Sequence, residues 1–294
     1  MIFETIYCIF KKTDYQRYHE TKLEQSDFKR LNNNLKQKIN HAHQTQMEFF
    51  NKFMALAATY HLDIKVVPED ELASIIHSPK TLIISCGGDG TFLSCAQRFP
   101  NSPLLGMNSD FRTKDGGSVG ALTLVNSQNL ERSISSLAKG KGTINLWNRL
   151  GANINNQRVD NYAVNDIFIG HPVSYLTCNI SVEIGDVKDD FNCSGFLACT
   201  GMGSNAWFEA AGGSHFSNEL AAFGYLVLVP SKKWQPKFIS GISSFDNHIS
   251  VIPHRTGYVM AFDSKNDVIT LKTGDVVDIF IDKDNPVKVL TLDV

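Results

Sequence analysis

The chain has 294 residues, which is enough for two domains or for one large domain with a substantial core. Hydrophobic residues make up 43% of the sequence and charged residues 20%, as in an ordinary soluble globular protein. The net charge of -2 argues against a broad nucleic-acid-binding surface. No apolar window reaches the length of a membrane span. We therefore expect neither a nucleic-acid partner nor a membrane.

The N-terminal sequence and the pattern of cysteines bear on the cellular compartment of the protein. The stretch MIFETIYCIFKK has too short an apolar part for a signal peptide, and it lacks the Arg- and Ser-rich composition of a transit peptide. The six cysteines include no C-x-x-C pair, and several lie within apolar runs. This usage favours reduced, buried thiols over a disulfide framework or a zinc site. We expect a cytoplasmic protein.

Strand-like and helix-like segments alternate in the first half of the chain. A helical segment with apolar residues at helical spacing precedes LDIKVV, and another follows TLIISC. TLIISC is apolar throughout and ends at glycine, as a central parallel strand does. This alternation predicts an α/β domain with a parallel sheet at residues 1–140. Its segments, in chain order, are FETIYCIF, FFNKFMALAATY, LDIKVV, TLIISC, GTFLSCAQRF and SPLLGMN.

The texture of the sequence changes after about residue 140. Short β-rich segments separated by turn residues continue to the C-terminus, and they include SYLTCNISVEIGDV, GYLVLVP and VKVLTLDV. This pattern predicts an all-β second domain at residues 141–294. A glycine-rich island with a helix-compatible centre, residues 201–214, interrupts it.

The pentapeptide Gly87-Gly88-Asp89-Gly90-Thr91 follows the predicted central strand. Glycines at the end of a parallel strand let the backbone approach a ligand, and their amides can bind phosphate beside a helix N-terminus. Thr91 could cap that helix, and Asp89 could accept a proton from a hydroxyl or hold magnesium. The alternative is an ordinary Asp-Gly turn. The complete pentapeptide at a strand end favours phosphate chemistry beside an acid.

Two further polar groups interrupt apolar strands. Asn108 and Asp110 end the next predicted strand, where they could face the same crevice or form a polar loop with an Asx turn. Asn165 and Asp166 lie together in AVNDIFIG. An amide beside a carboxylate suits a ribose diol, and the alternative is a strand-edge or bulge pair.

The glycine island CTGMGSNAWFEAAGGS contains Thr200, Ser204 and Asn205 among its glycines. Backbone amides and hydroxyls there could hold phosphates or a base edge, and Trp207 could provide a stacking surface. The alternative is a glycine-flanked helix with Trp207 in the core.

The GGDGT pentapeptide, the pair Asn165-Asp166 and the glycine island, in this order, resemble the motifs of the NAD kinase family. The chain looks closest to the mitochondrial-type members: KKTDYQRYHE is similar to their N-terminal basic-tyrosine segment, GMNSD to their strand end, AVNDIFIG to their Asn-acid motif and CSGFLACTGMGSNAW to their glycine island. The likeness runs from residue 5 to the end and is strong in four blocks. Asp166 replaces the commoner glutamate, and Asn205-Ala206-Trp207 replaces Thr-Ala-Tyr.

The resemblance implies an α/β domain followed by a β-rich domain that completes the NAD site. It also implies ATP with Mg²⁺ and a homo-oligomer, which we expect to be a homodimer or homotetramer. We assign no metal-ligating residue of the protein. Asp89 would orient or deprotonate the 2′-hydroxyl of the adenosine ribose of NAD. The expected nucleotide-binding residues are Gly87, Gly88, Gly90, Thr91, Asn108, Asn165, Asp166, Thr200, Ser204, Asn205, Ala206 and Trp207.

Two other functions remain open from the sequence. A lipid or small-alcohol kinase could share the GGDGT turn, although no amphipathic membrane helix is evident. A dinucleotide-binding protein without catalysis is the second alternative. The motifs do not distinguish NAD from NADH as acceptor, or ATP from polyphosphate as donor.

Overall fold

The structure is a computed structural model that describes residues 3–111, 117–118, 120–231, 235–265 and 267–293. The chain divides into two compact units. The first comprises Met1–Leu146 with Val287–Val294, and the second comprises Trp147–Pro286.

The first unit is built on a six-stranded sheet with the order β2-β1-β3-β4-β18-β5. The pairs β1–β2, β1–β3, β3–β4 and β4–β18 are all parallel. β3 is buried along its whole length, which explains why its sequence is apolar without alternation. The strands are β1 (Thr5–Phe10), β2 (Ile64–Pro68), β3 (Thr81–Gly87), β4 (Leu104–Asn108), β5 (Thr143–Trp147) and β18 (Val287–Thr291).

Five α-helices belong to the described part of the first unit. The longest, α3, begins after Asn32, whose side-chain oxygen accepts a hydrogen bond from the Leu35 amide at 2.9 Å. Phe49, Phe53 and Ala57 recur every four residues and are buried on one face of this helix. The helices are α1 (Asp14–Tyr18), α2 (Lys22–Arg30), α3 (Asn33–Thr59), α4 (Asp89–Arg98) and α5 (Leu130–Ala138), with a 3₁₀ turn at Glu69–Ser74.

The second unit consists mainly of two six-stranded antiparallel sheets. Their strand orders are β10-β9-β14-β17-β6-β7 and β13-β12-β11-β8-β15-β16. Side chains from both sheets, such as Val182 and Phe196, are buried in one apolar cluster. The strands are β6 (Leu150–Ile154), β7 (Gln157–Arg158), β8 (Asp166–Gly170), β9 (Cys178–Ile184), β10 (Val187–Cys193), β11 (Gly195–Cys199), β12 (Ala222–Leu228), β13 (Ser240–Ser244), β14 (Ile249–Pro253), β15 (Tyr258–Phe262), β16 (Ile269–Leu271) and β17 (Val277–Ile281).

The glycine island of the second unit contains little regular structure. A 3₁₀ turn at Gly203–Asn205 leads into the short helix α6 (Trp207–Ala210). Throughout the described ranges, no helix has both the length and the apolar character needed to cross a bilayer.

The predicted fold class, an α/β domain followed by a β domain, is confirmed, but the domain boundaries differ. The sequence predicts a boundary at residue 140 and a C-terminal segment within the β domain. In the structure, β18 instead belongs to the sheet of the first unit. The physical reason is burial within a parallel sheet: Val289 pairs with Leu104 of β4, and Val287, Val289 and Leu290 are all buried. A β-rich segment alone does not reveal which sheet it joins.

The position of β18 predicts how the C-terminus contributes to stability. Leu290→Ala removes a side chain that is 1% exposed in the core of the first unit, and we expect it to lower the free energy of unfolding by about 2–5 kcal/mol. Leu146→Ala, at a leucine that is 62% exposed in β5, should change it by less than about 0.5 kcal/mol. Urea denaturation followed by circular dichroism measures both. Equal effects of the two substitutions would contradict the placement of β18.

Candidate functional site

The GGDGT motif forms the passage from β3 into α4. Gly87 ends the strand, Gly88 has an extended backbone, and the helix begins at Asp89. A side chain at position 87 would overlap that of Thr91, and one at position 88 would come within 2.7 Å of Ser118 Oγ. Close packing of the turn therefore excludes a side chain at position 87, and a side chain at position 88 would force the Ser118 hydroxyl to move.

Thr91 does not cap α4 as the sequence suggested. Gly88, with an extended backbone, occupies the N-cap position, so the helix starts at Asp89, three residues earlier than a Thr91 cap would place it. The Thr91 amide donates to the Gly88 carbonyl at 3.1 Å. Its hydroxyl is buried and has no hydrogen-bond partner among the described residues.

The Asp89 carboxylate is held by backbone amides of a distant segment. Its Oδ2 accepts a hydrogen bond from Ala121 N at 3.1 Å, and its Oδ1 accepts one from Leu122 N at 2.9 Å. Each carboxylate oxygen can accept more than one hydrogen bond. The Asp89 carboxylate is therefore fixed in orientation, and it can still accept a hydrogen bond from a hydroxyl group.

Asn108 holds the same distant segment from the end of β4. Its Nδ2 donates to Ser118 O at 3.1 Å, and its Oδ1 accepts from Asp110 N at 3.1 Å. The second bond forms the Asx turn that was one of the two interpretations of GMNSD. With the side chain only 1% exposed and both ends engaged, Asn108 orders the loop around Asp89.

A cavity of about 530 Å³ lies beside the GGDGT turn. Gly87, Gly88, Asp89 and Gly90 line it together with two lysines, Lys11 after β1 and Lys38 on α3. Glycine amides and lysine ammonium groups are suited to phosphate oxygens. Sequence reasoning missed both lysines, because Lys38 lies in a polar helix and nothing in its local sequence connects it to the turn.

The same cavity offers little to a metal ion held by the protein alone. Asp14, Asp89 and Asp110 line it, but the described residues contain no group of three His, Cys, Asp or Glu side chains placed to hold a metal. Two backbone amides already occupy Asp89. The described residues therefore show no three-ligand Mg²⁺ site in this cavity.

In the second unit, Asn165 and Asp166 lie where the chain enters β8. Asp263, just after β15, accepts hydrogen bonds from three successive backbone amides: Val164 N at 2.9 Å, Asn165 N at 2.7 Å and Asp166 N at 3.2 Å. The Asp263 amide donates back to Asp166 O at 2.9 Å. One carboxylate thus fixes the backbone of the whole Asn-acid motif.

Thr200 holds this motif from the side of β11. Its hydroxyl donates to Val164 O at 2.5 Å and accepts from Gly203 N at 3.1 Å, and its amide donates to Asn165 O at 2.9 Å. Any side chain at Gly203 would overlap the Asn165 backbone. The structure therefore brings together Asn165, Asp166 and Thr200, as the sequence analysis expected of one site.

Buried acceptors remain without donors in this motif. Oδ1 of Asn165 and Oδ1 of Asp166 are buried and have no hydrogen-bond partner among the described residues. Burial, and secondarily the nearby charge of Asp263, raises the pKa of Asp166 to about 7. Burial also raises the pKa of Asp263, to about 6, against the lowering effect of the amides that it accepts. Such unpaired acceptors indicate a place for a ligand with hydroxyl donors.

Arg149 is a second buried polar group that the sequence did not single out. Its side chain is 1% exposed, and its three guanidinium nitrogens have no hydrogen-bond partner among the described residues. The guanidinium lies 5.6 Å from the centre of the Tyr162 ring. Burial lowers its pKa to about 10, and Tyr162, Asp263 and Asp282 oppose this effect. Arg149 therefore stays cationic at neutral pH.

The remaining island residues differ in accessibility. Ser204 is fully buried, and its hydroxyl is engaged by Gly201 O, His215 Nδ1 and the Phe216 backbone at 2.7–3.1 Å. Asn205 is exposed and Ala206 is half-buried. Trp207 is 37% exposed and lies 5.3 Å from the Phe168 ring, so part of its surface is available for stacking.

Comparison with known proteins identifies similar sequences. No protein-family model matches the chain. It is 27% identical over 237 residues to a probable NADH kinase of rice, which covers 74% of this chain and 72% of the rice protein. It is 24% identical to an NAD kinase of Thermomicrobium roseum over 56% of this chain and 55% of that protein, and 31% identical to one of Caldanaerobacter subterraneus over 48% and 50%. The matched region thus spans about half of these two bacterial relatives.

Solved structures share the fold along almost the whole chain. Yeast NADH kinase, solved in complex with NADH, superposes with a TM-score of 0.69 at 17% identity, covering 98% of this chain and 84% of that one. An NAD kinase from Archaeoglobus fulgidus, in complex with ATP, superposes with a TM-score of 0.63 at 18% identity, covering 98% and 94%. The sequence relatives, the common fold and the motifs agree, and together they support the NAD kinase family for this chain.

Proposed function

We propose that this chain is an NAD kinase that transfers the γ-phosphate of ATP to the 2′-hydroxyl of the adenosine ribose of NAD or NADH. The bond from the 2′-oxygen to the γ-phosphorus forms, the bond from that phosphorus to the β,γ-bridging oxygen breaks, and the hydroxyl proton is lost. The products are NADP or NADPH, ADP and a proton.

The observation that carries the proposal is the cavity beside the GGDGT turn. It combines a fixed carboxylate, Asp89, with glycines that admit phosphate and two lysines that attract it. Phosphoryl transfer depends mainly on positioning and on neutralising charge. This combination suits a reaction in which a hydroxyl is aimed at a phosphate. The names of the sequence relatives support the same activity.

Asp89 acts on the acceptor hydroxyl. Because the amides of Ala121 and Leu122 fix its carboxylate, it can orient the 2′-hydroxyl without reorganising, and it can accept the proton as the bond to phosphorus forms. Lys11 and Lys38 stabilise the charge on the donor phosphates. Magnesium enters with ATP as part of the substrate.

Asn165 and Asp166, within the second unit, offer acceptors suited to a ribose diol. Oδ1 of Asn165 and Oδ1 of Asp166 accept hydrogen bonds from its hydroxyls and thereby gain the donors that they lack. Trp207 offers its exposed part to a planar ring.

Incubation of the purified protein with ATP, magnesium and NAD tests the proposal, with NADP measured by an NADP-specific dehydrogenase. Parallel reactions contain NADH as acceptor, polyphosphate as donor, or a panel of lipids and small alcohols with labelled ATP. We expect NADP to form with time and enzyme concentration. Phosphorylation of a lipid or alcohol without NADP formation would contradict the proposal, as would dinucleotide binding without product from any donor.

Replacing Asp89 with asparagine should slow the chemical step. We expect Asp89→Asn to lower the single-turnover rate about 10²–10⁴-fold, because the base is lost and one hydrogen bond to the loop is replaced by a repulsive pair of donors. NAD affinity, measured by calorimetry, should be largely retained. Asp27→Asn, on the exposed surface of α2, is the charge-matched control. A near wild-type rate for Asp89→Asn would rule out this role.

Removing the cation on α3 should weaken donor binding. Lys38→Ala takes away an ammonium group that lines the cavity, and we expect the KM for ATP to rise about 10-fold or more while the KM for NAD changes little. Lys52→Ala, exposed on the same helix and outside the cavity lining, should leave both constants unchanged. A larger effect on NAD than on ATP would assign the cavity to the other substrate.

A further inference from the structure

Asp263 has an unusual backbone position for a residue so deeply buried. It follows β15 with φ at +51°, in the left-handed region, and Ser264 follows at +54°. Aspartate tolerates this region better than most residues, but two successive non-glycine residues there are costly. The side chain is 4% exposed. The backbone conformation is thus maintained by what the carboxylate binds.

What the carboxylate binds is a single stretch of backbone. Three consecutive amides, those of residues 164–166, donate to it, and its own amide donates back to Asp166 O. These bonds use the backbone of the Asn-acid motif and leave its side-chain acceptors, Asn165 Oδ1 and Asp166 Oδ1, without partners. The backbone amides of the motif therefore bind Asp263, whereas its side-chain oxygens remain available to a ligand.

We propose that Asp263 is a positioning residue that holds Asn165 and Asp166 in the orientation that receives the ribose hydroxyls of the dinucleotide. This inference rests on the proposed function, since it takes a ribose diol as the ligand of the motif. Asp263 contacts the backbone of the motif and acts on the substrate only through it.

The proximity of the two carboxylates adds a pH dependence to this arrangement. The charge of Asp263 opposes ionisation of Asp166, and burial acts in the same direction. The other titratable groups that interact with the pair are Cys199, which pairs with Asp166 across β8 and β11, and the cations Arg149 and Lys265. Only the ionised Asp166 offers all its lone pairs to hydroxyl donors. NAD affinity should therefore fall as the pH drops through about 7, where Asp166 takes up a proton.

The test measures dinucleotide binding to the full chain at several pH values. Asp263→Asn replaces one carboxylate oxygen by an amide that opposes the backbone donors, and it removes the charge that raises the pKa of Asp166. We expect the Kd for NAD to rise about 10- to 100-fold with the Kd for ATP unchanged within about twofold. We also expect the fall in NAD affinity on acidification, which we call the acid limb of NAD binding, to move to lower pH. Circular dichroism and thermal unfolding establish that the variant is folded.

Two further variants separate positioning from general stability. Asp263→Glu keeps the charge but displaces the carboxylate, so NAD affinity should fall while the acid limb stays near its wild-type position. If Asp263→Asn does not fold, Asp263→Glu provides the test of the proposal in its place. Asp275→Asn is the matched control, because Asp275 is a half-buried carboxylate that accepts the Lys272 amide at 2.7 Å and lies outside the motif. It should leave both NAD affinity and the acid limb unchanged.

An unshifted acid limb in Asp263→Asn, or equal losses of NAD and ATP affinity, would overturn the inference. Failure of the wild-type protein to bind NAD would overturn it as well. Formation of no NADP by a wild-type protein that still binds NAD would instead overturn only the proposed function, because the binding measurements continue to test the role of Asp263.

Discussion

Hydrogen bonds from backbone amides to two aspartates organise both groups of candidate residues. Asp89 accepts two amides from residues 121 and 122, and Asp263 accepts three from residues 164–166. A carboxylate can satisfy several donors at once, and a charged acceptor makes each bond stronger than a neutral one would. These bonds fix the positions of residues 121–122 and 164–166 relative to the two carboxylates. The chemistry proposed for each unit depends on this ordering.

Glycines provide the space that these arrangements need. At Gly87 and Gly88 the turn packs directly against Thr91 and Ser118, and at Gly203 the island packs against the backbone of Asn165. A Cβ at position 87 or 203 would overlap its neighbour, and one at position 88 would displace the Ser118 hydroxyl. The glycines of the motifs thus allow segments of the protein to pack closely together, in addition to leaving room for a phosphate group. This extends the interpretation that their sequence pattern alone suggests.

Several residues selected from the sequence as ligand contacts are engaged within the protein. Asn108, Thr200 and Ser204 all use their side chains to hold neighbouring loops. Residue type and motif position do not distinguish a contact to ligand from a contact that orders the loop, since both need the same donors and acceptors. Conversely, Lys38, Arg149 and Asp263 stand outside the motifs, and the local sequence around each is unremarkable. Their roles arise from groups far away in the chain.

The sequence by itself determined the fold class, the GGDGT turn at the end of β3 and the Asn-acid pair before β8. These features are local: apolar periodicity predicts a strand or helix, and adjacent residues share one turn. Only the tertiary structure decided that β18 joins the first sheet, that Asp89 is anchored to residues 121 and 122, and that Asp263 braces residues 164–166. Each of these depends on pairing between segments separated by 30 or more positions, as between Asp89 and Leu122 at a separation of 33. Such pairing is selected by burial and hydrogen-bond geometry in the folded chain, and no local pattern encodes it.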